Sequence, residues 1–158
     1  MKTLVVYYSH GGSTKLMAKT IAKELKADIE TIKPKKKIDA SGAKMVRWGL
    51  QQLLTHPKPE IEQLVHNPME YDEIIIGTPV WSYTYSPPIR TFIEDNFIQG
   101  KKIALFCCHG GQKARTLNHM KKDLSENTFI GEIDFLEPIK NETEKNIEKA
   151  IKWAKNLK

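Results

Sequence analysis

The sequence predicts an α/β fold, a doubly wound parallel sheet of five strands with helices on both of its faces. Short apolar runs alternate along the chain with longer segments whose apolar residues recur at helical spacing. The runs are apolar at nearly every position, which suits strands that are covered on both faces. At 158 residues the chain has the usual size of one domain, so we expect a single domain over residues 1–158.

The first half of the chain contains three of the predicted strands, at residues 2–8, 28–32 and 73–78. A helix begins near Thr14 after the first strand, and the hydroxyl of Ser13 or Thr14 is placed to cap it. A second helix is predicted over about residues 43–55, where leucines recur at helical spacing. It ends at the prolines of residues 56–59, because proline cannot continue the backbone hydrogen bonds.

The second half begins with a helix at Ser86, a hydroxyl cap that is followed by two prolines. Proline suits the first turn of a helix, where its missing N–H costs nothing. The fourth strand is predicted at residues 102–107 and the fifth at residues 129–136. Polar residues interrupt the fifth strand, so we expect it at the edge of the sheet. Two more helices follow these strands, over about residues 112–125 and 141–156.

Three loops with unusual composition follow predicted strands, at residues 9–14, 79–85 and 108–112. In open parallel sheets, ligands bind beyond the carboxyl ends of the strands, where the strand order switches. We therefore expect these three loops to meet and to form one binding pocket.

The first loop has the composition of a phosphate-binding turn. Ser9, Ser13 and Thr14 supply hydroxyls, while Gly11 and Gly12 allow main-chain N–H groups to approach a ligand closely. The N-terminus of the following helix favours an anion. The loop lacks the motifs that bind nucleoside triphosphates or dinucleotides, so a monophosphate is the expected ligand. A plain strand-to-helix turn is the alternative.

The other two loops offer aromatic rings and backbone donors. Trp81, Tyr83 and Tyr85 alternate in the second loop, where they can stack on a flat ring system or cover the core. In the third loop, His109 and two glycines can contact the polar edge of such a ring. For His10 and His109, ligand contact and a place on the surface are both open.

In these motifs the sequence resembles the flavodoxin-like family, over its whole length and in its short-chain form. Residues 9–14, Ser-His-Gly-Gly-Ser-Thr, are similar to the flavodoxin phosphate loop. Residues 71–81 resemble the third strand with its flavin loop, and residues 86–92 continue that likeness. Residues 106–111 resemble the third flavin loop.

The resemblance implies the strand order 2-1-3-4-5 and a tightly but non-covalently bound FMN, with no metal. The positions that would bind the phosphate are Ser9, Gly11, Gly12, Ser13 and Thr14, and His10 of the same loop is a further cofactor-binding position. The positions that would bind the isoalloxazine are Pro79, Val80, Trp81, Ser82, Tyr83, Thr84, Cys108, His109, Gly110 and Gly111.

Two departures from the family pattern concern these loops. Gly11 stands where flavodoxins usually have threonine, so one phosphate hydroxyl is missing. The segment 79–86 contains no glycine, whereas many flavodoxins flip a peptide at a glycine there when the flavin takes up one electron. A residue with a Cβ resists that conformation, so the missing glycine favours two-electron chemistry.

The function implied by the resemblance is electron transfer through bound FMN. An FMN-dependent NAD(P)H:quinone or flavin-type oxidoreductase is the alternative, with Tyr83, His10 and His109 as candidate proton donors. The net charge of +6 indicates anionic partners. We therefore expect redox partner proteins with acidic docking faces, or a small-molecule acceptor.

Other classes of protein fit the sequence less well. A cysteine phosphatase is a remote alternative, because six residues separate Cys108 from Arg115 where such enzymes need five. The two cysteines, Cys107 and Cys108, are adjacent, so a disulfide framework is not expected. No apolar run is long enough for a membrane span, and no nucleic-acid-binding pattern is evident. These features predict a cytoplasmic protein that binds neither membranes nor nucleic acids.

Overall fold

A parallel sheet, extended by one short antiparallel strand, forms the centre of the protein. The computed structural model describes residues 1–39, 44, 47, 51 and 54–157. The strands of the described part are β1 (Thr3–Tyr7), β2 (Asp28–Thr31), β3 (Glu73–Trp81), β4 (Thr84–Tyr85), β5 (Lys102–His109) and β6 (Thr128–Leu136). Its helices are α1 (Ser13–Leu25), α2 (Pro87–Asp95), α3 (Thr116–Asp123) and α4 (Thr143–Lys155), with a 3₁₀ turn at Pro68–Glu70.

The parallel strands lie in the order β2-β1-β3-β5-β6. Since β5 and β6 are the fourth and fifth predicted strands, the α/β fold and the strand order 2-1-3-4-5 are confirmed. Among the described strands, β6 pairs only with β5 and lies at the edge, as predicted. The order reverses between β1 and β3, so the carboxyl ends of these two strands flank the switch point.

Side chains that alternate along the strands divide the core into two layers. On one face, Val5 and Ile75 pack with buried residues of α1 and α4. On the other face, Leu4 and Ile74 pack with buried residues of α2 and α3. The continuous apolar runs are therefore explained by helices on both faces.

The third strand is longer than the sequence predicts. β3 continues through Pro79 and Val80 to Trp81, and it pairs antiparallel with β4 through Val80↔Tyr85 and Trp81↔Thr84. The prediction of an irregular loop over residues 79–85 is therefore wrong. β3 and β4 form a β-hairpin whose two-residue turn is Ser82 and Tyr83.

The predicted hydroxyl cap of α1 is wrong, whereas Ser86 stands at the predicted N-cap position of α2. The N-cap of α1 is Gly12, and neither Ser13 nor Thr14 caps the helix. Ser86 is the N-cap of α2 but makes no side-chain cap bond. Its Oγ instead accepts a hydrogen bond from Thr78 Oγ1 at 3.1 Å. A buried contact across the base of the hairpin therefore takes precedence over helix capping at this position.

The predicted helix over residues 43–55 lies largely outside the described residues. None of the described helices is long and apolar enough to cross a membrane. Within the same described part, no group of three or more His, Cys, Asp or Glu side chains is placed to hold a metal ion.

Candidate functional site

The segments that follow β1, β3 and β5 meet at one cavity of about 280 Å³, here called the first cavity. Sequence-predicted residues that line it are Ser9, His10, Gly11, Ser13, Thr14, Pro79, Val80, Trp81, Cys108, His109 and Gly110. Predicted residues that do not line it are Gly12, Ser82, Tyr83, Thr84 and Gly111. The prediction that three separate segments form one pocket is thus reproduced in the structure.

The turn after β1 presents backbone donors to the first cavity. Gly12 has φ +94°, a left-handed conformation that favours glycine, and its N–H donates to Ser9 Oγ at 3.1 Å. No side chain caps α1, so the N–H groups of its first turn keep their hydrogen-bonding capacity. Together with the helix dipole, they can stabilise an anion such as a phosphate.

The wall below this turn contains a protonated thiol. Burial raises the pKa of Cys108 to about 12, although a hydrogen bond with the nearly inaccessible Thr14 lowers it in part. Burial likewise raises the pKa of Cys107 to about 12. A phosphatase nucleophile must be a thiolate at neutral pH. The geometry therefore argues against the cysteine phosphatase alternative.

The three aromatic residues of the hairpin occupy three different environments. Trp81 borders the first cavity and lies edge-on to the His10 ring, with the centroids 5.9 Å apart. Tyr85 is completely buried in the core. The Tyr83 side chain is 64% exposed at the tip of the hairpin. The hypothesis that all three stack on one planar ligand is therefore wrong, since only Trp81 borders the first cavity.

The third strand end carries a side-chain network that the sequence analysis missed. His109 Nε2 lies 3.0 Å from Asp134 Oδ2, and Lys113 Nζ donates to Asp134 Oδ1 at 3.1 Å. Burial raises the pKa of Asp134, but these two hydrogen bonds and the positive charges of Lys113 and Lys149 together outweigh it and hold the pKa below its usual value. His109 Nδ1 is buried and has no hydrogen-bond partner among the described residues.

The segment after β6 supplies a wall that was also missed. Glu137, Ile139 and Lys140 line the first cavity, and Lys140 Nζ pairs with Glu137 Oε1 at 3.4 Å. Ile139 lies over the turn after β1, since a Cβ on Gly12 would be 3.0 Å from Ile139 Cδ1. The only sequence signal for these residues is their position beyond the carboxyl end of a parallel strand.

The remaining hairpin residues face another cavity. Ser82, Tyr83 and Thr84 line a space of about 580 Å³ between the hairpin, α2 and α3, here called the second cavity. Its other described lining residues are His56, Arg90, Glu94, His119, Lys122 and Asp123. The hairpin thus contributes to the walls of both cavities, which the sequence did not indicate.

Comparison with known proteins assigns this arrangement to a family. The family model described as flavodoxin matches residues 2–154. The chain belongs to the flavodoxin family. The resemblance that the three loop motifs indicated is therefore confirmed. Among curated proteins, by contrast, no sequence matches this chain.

Solved flavoprotein structures resemble this flavodoxin over nearly its whole length. A flavoprotein from Lactobacillus acidophilus NCFM in complex with FMN shares 29% identity, with 97% of this chain and 98% of that chain covered and a TM-score of 0.75. The apo form of the flavoprotein from that organism shares 30% identity over 89% of this chain and 95% of that chain, with a TM-score of 0.66. A flavodoxin from the domain Archaea shares the fold at 20% identity, covering 99% of both chains with a TM-score of 0.59.

Proposed function

We propose that this flavodoxin-family protein binds FMN non-covalently in the first cavity and transfers electrons through it. The observation that carries the proposal is the meeting of two features in one cavity. The uncapped N-terminus of α1 supplies donors for a phosphate. Trp81 and His109 supply an aromatic edge and a polar nitrogen for a flat ring. The related flavoprotein that contains FMN supports the choice of this ligand.

The residues that are present fit such a ligand. His109 Nδ1 is buried without a partner, and an unpaired buried nitrogen is costly unless a ligand completes it. The polar edge of a flavin ring has both donors and acceptors that can do so. Lys140, which pairs with Glu137, also lines the cavity and could rearrange to pair with a phosphate there.

FMN, when bound, supplies a redox centre that accepts one or two electrons. The chain's own residues bind and orient it. Asp134 fixes the ring of His109, so that Nδ1 keeps one direction. Trp81 is 7% exposed and excludes water from its side of the cavity. Pro79 and Val80 extend this apolar wall.

The test is an anaerobic titration of the FMN-loaded protein with dithionite, followed by visible absorbance. Two resolved one-electron phases would support a one-electron carrier, whereas a single two-electron phase would favour the oxidoreductase described below. Trp81→Ala should bind FMN measurably more weakly than the wild type, while Phe97→Ala, an exposed aromatic residue outside the cavity, should bind FMN as the wild type does. Failure of the wild type to bind added FMN would overturn the proposal.

A second candidate function is an FMN-dependent oxidoreductase that acts on a small molecule. The second cavity favours it, because a space of about 580 Å³ adjoins the same hairpin. Oxidation of NADH or NADPH in the presence of a quinone would support this candidate. For a carrier, the net charge of +6 favours partner proteins with acidic docking faces. A rate of electron exchange that falls with rising salt would support such partners.

A further inference from the structure

The second cavity has the dimensions of a small-molecule site. Its volume of about 580 Å³ lies within the range of typical ligand pockets, roughly 300–1,000 Å³. The hairpin turn, α2 and α3 contribute its described walls. The proposed FMN site does not use this space, since the described linings of the two cavities share no residue.

Arg90 is a buried charge whose hydrogen-bonding capacity the described residues leave unused. Its residue is only 8% exposed, and its guanidinium lies over the Tyr85 ring, 4.5 Å from the centroid. Nη1 is 3.8 Å from Asp123 Oδ2, an ion-pair distance too long for a hydrogen bond. Nε is buried and has no partner among the described residues. A buried guanidinium in this state is costly unless a ligand accepts its hydrogen bonds.

The charges around Arg90 favour an anion as that ligand. The two acidic residues of the cavity are already engaged, Glu94 with Lys58 Nζ at 2.8 Å and Asp123 with both Arg90 and the Tyr85 hydroxyl. Lys122 adds another positive charge to the described wall. His56 and His119 are also present, with His119 Nδ1 held 2.9 Å from Thr84 Oγ1. Arginine recognises planar oxyanions through paired N–H donors.

The hairpin tip adds a flat apolar surface to the same cavity. Tyr83 lines it with a side chain that is 64% exposed, and its backbone has φ 65°. A planar ligand could cover this ring by stacking.

We propose that the second cavity binds a planar anionic small molecule, whose acid group pairs with Arg90 and whose ring packs against Tyr83. The acid group is a carboxylate or a phosphate, since both match the guanidinium. The use of this ligand as an electron donor or acceptor rests on the proposed function. Its binding does not, because Arg90 and Tyr83 lie outside the first cavity.

The experiment titrates the FMN-loaded protein with three probes that share one ring system: 2-naphthoate, 2-naphthyl phosphate and the uncharged 2-naphthamide. Backbone amide shifts of residues 82–84, 90 and 119–123 report binding in the second cavity, and those of residues 10–14 report the first. We expect the two anions to bind at least ten times more tightly than the amide, with shifts in the second cavity. The anion that binds more tightly identifies the acid group that the cavity prefers.

Two variants test the named contacts. Arg90→Gln should weaken binding of the anions at least tenfold and leave the amide unaffected, while Arg115→Gln, an exposed arginine outside the cavity, should match the wild type. Because Arg90 is buried and its loss can unfold the chain, Tyr83→Ala serves as the second variant. The Tyr83 side chain is exposed, and we expect its removal to weaken the binding of all three probes about threefold.

Three results would overturn the proposal: equal binding of anions and amide, unchanged binding by the folded Arg90→Gln variant, or shifts confined to the first cavity. Repeating the titration before FMN is added separates it from the proposed function. Anion binding without FMN binding supports the second cavity and contradicts the FMN proposal. FMN binding without anion binding supports the FMN proposal and contradicts the proposed anion site in the second cavity.

Discussion

Two turns of the protein adopt the same uncommon backbone conformation with different residues. The turn after β1 uses Gly12 at φ +94°, whereas the turn between β3 and β4 uses Ser82 at φ 49° and Tyr83 at φ 65°. Glycine adopts this region without steric cost, while a residue with a Cβ loses about 1–2 kcal/mol there. The first turn is therefore relaxed, and the second is held in place by the rest of the structure.

Hydrogen bonds at the base of the hairpin show what holds it. Thr78 Oγ1 accepts from the Ser86 N–H at 3.0 Å and donates to Ser86 Oγ at 3.1 Å, and both residues are fully buried. Positive φ at both turn residues is what a type I′ hairpin requires, and Asn-Gly is the usual sequence. Buried hydrogen bonds at the base of the hairpin therefore maintain a turn that its own residues disfavour.

The largest effect should come from removing that support. Thr78→Val keeps the shape of the side chain but leaves the buried Ser86 N–H without an acceptor, so we expect it to lower the free energy of unfolding by about 2 kcal/mol. Urea unfolding measures this change. Thr78→Ser, which retains the hydroxyl, should lose less stability than Thr78→Val. Thr128→Val, at an exposed position, should lose almost none. Equal stability of Thr78→Val and wild type would show that the hairpin does not depend on these bonds.

The next effect breaks the relaxed turn. Gly12→Ala places a Cβ on a residue with φ +94° and 3.0 Å from Ile139 Cδ1, so we expect a loss of about 1–2 kcal/mol and weaker FMN binding. Gly11→Ala is the matched control, because a Cβ there has no neighbour within 4 Å. Unfolding curves and FMN titrations of both variants give the comparison. Similar stability losses in the two variants would contradict the special role of Gly12.

A third, smaller effect should be a gain in stability, because the substitution relieves the strained turn of the hairpin. Tyr83→Gly removes the Cβ from a residue with φ 65°, and we expect a gain of about 1 kcal/mol relative to Tyr83→Ala. The pair isolates the backbone effect, since both variants lack the exposed ring. Thermal unfolding under identical conditions measures the difference. If Tyr83→Ala is as stable as Tyr83→Gly, the hairpin turn carries no strain.

The smallest effect concerns the third strand end, where charges rather than backbone conformation hold the geometry. The fold lowers the pKa of Asp134, so its contribution to stability is complete above the unfolded pKa and is lost as pH falls through the folded pKa. Asp134→Asn should therefore destabilise the protein at neutral pH and approach the wild type in acid. The effect is small because the side chain is 33% exposed. A stability difference between Asp134→Asn and the wild type that is the same at pH 7 and in strong acid would contradict this prediction.

The sequence predicted most of the fold and part of the site. Strands such as β1 and β5 were found because they are continuously apolar, and the carboxyl-end rule brought their loops together. Tyr83 and Tyr85 were misplaced because a loop was predicted where a hairpin forms. Ser82 and Tyr83 are not residues that a two-residue turn favours, so no local signal marked the hairpin.

The sequence by itself determined the α/β class, the strand order implied by the family likeness and the three strand ends that meet at the first cavity. Local patterns of polarity are sufficient for the class and for the strand ends, because they set which elements form and which faces are buried. The strand order came from the family resemblance. Only the tertiary structure decided the hairpin, the His109–Asp134 pair and the buried Nε of Arg90, which has no hydrogen-bond partner among the described residues. The His109–Asp134 pair joins residues of two strands, 25 positions apart in the chain, and the hairpin depends on hydrogen bonds across its own base. In each case packing and burial outweigh local preference.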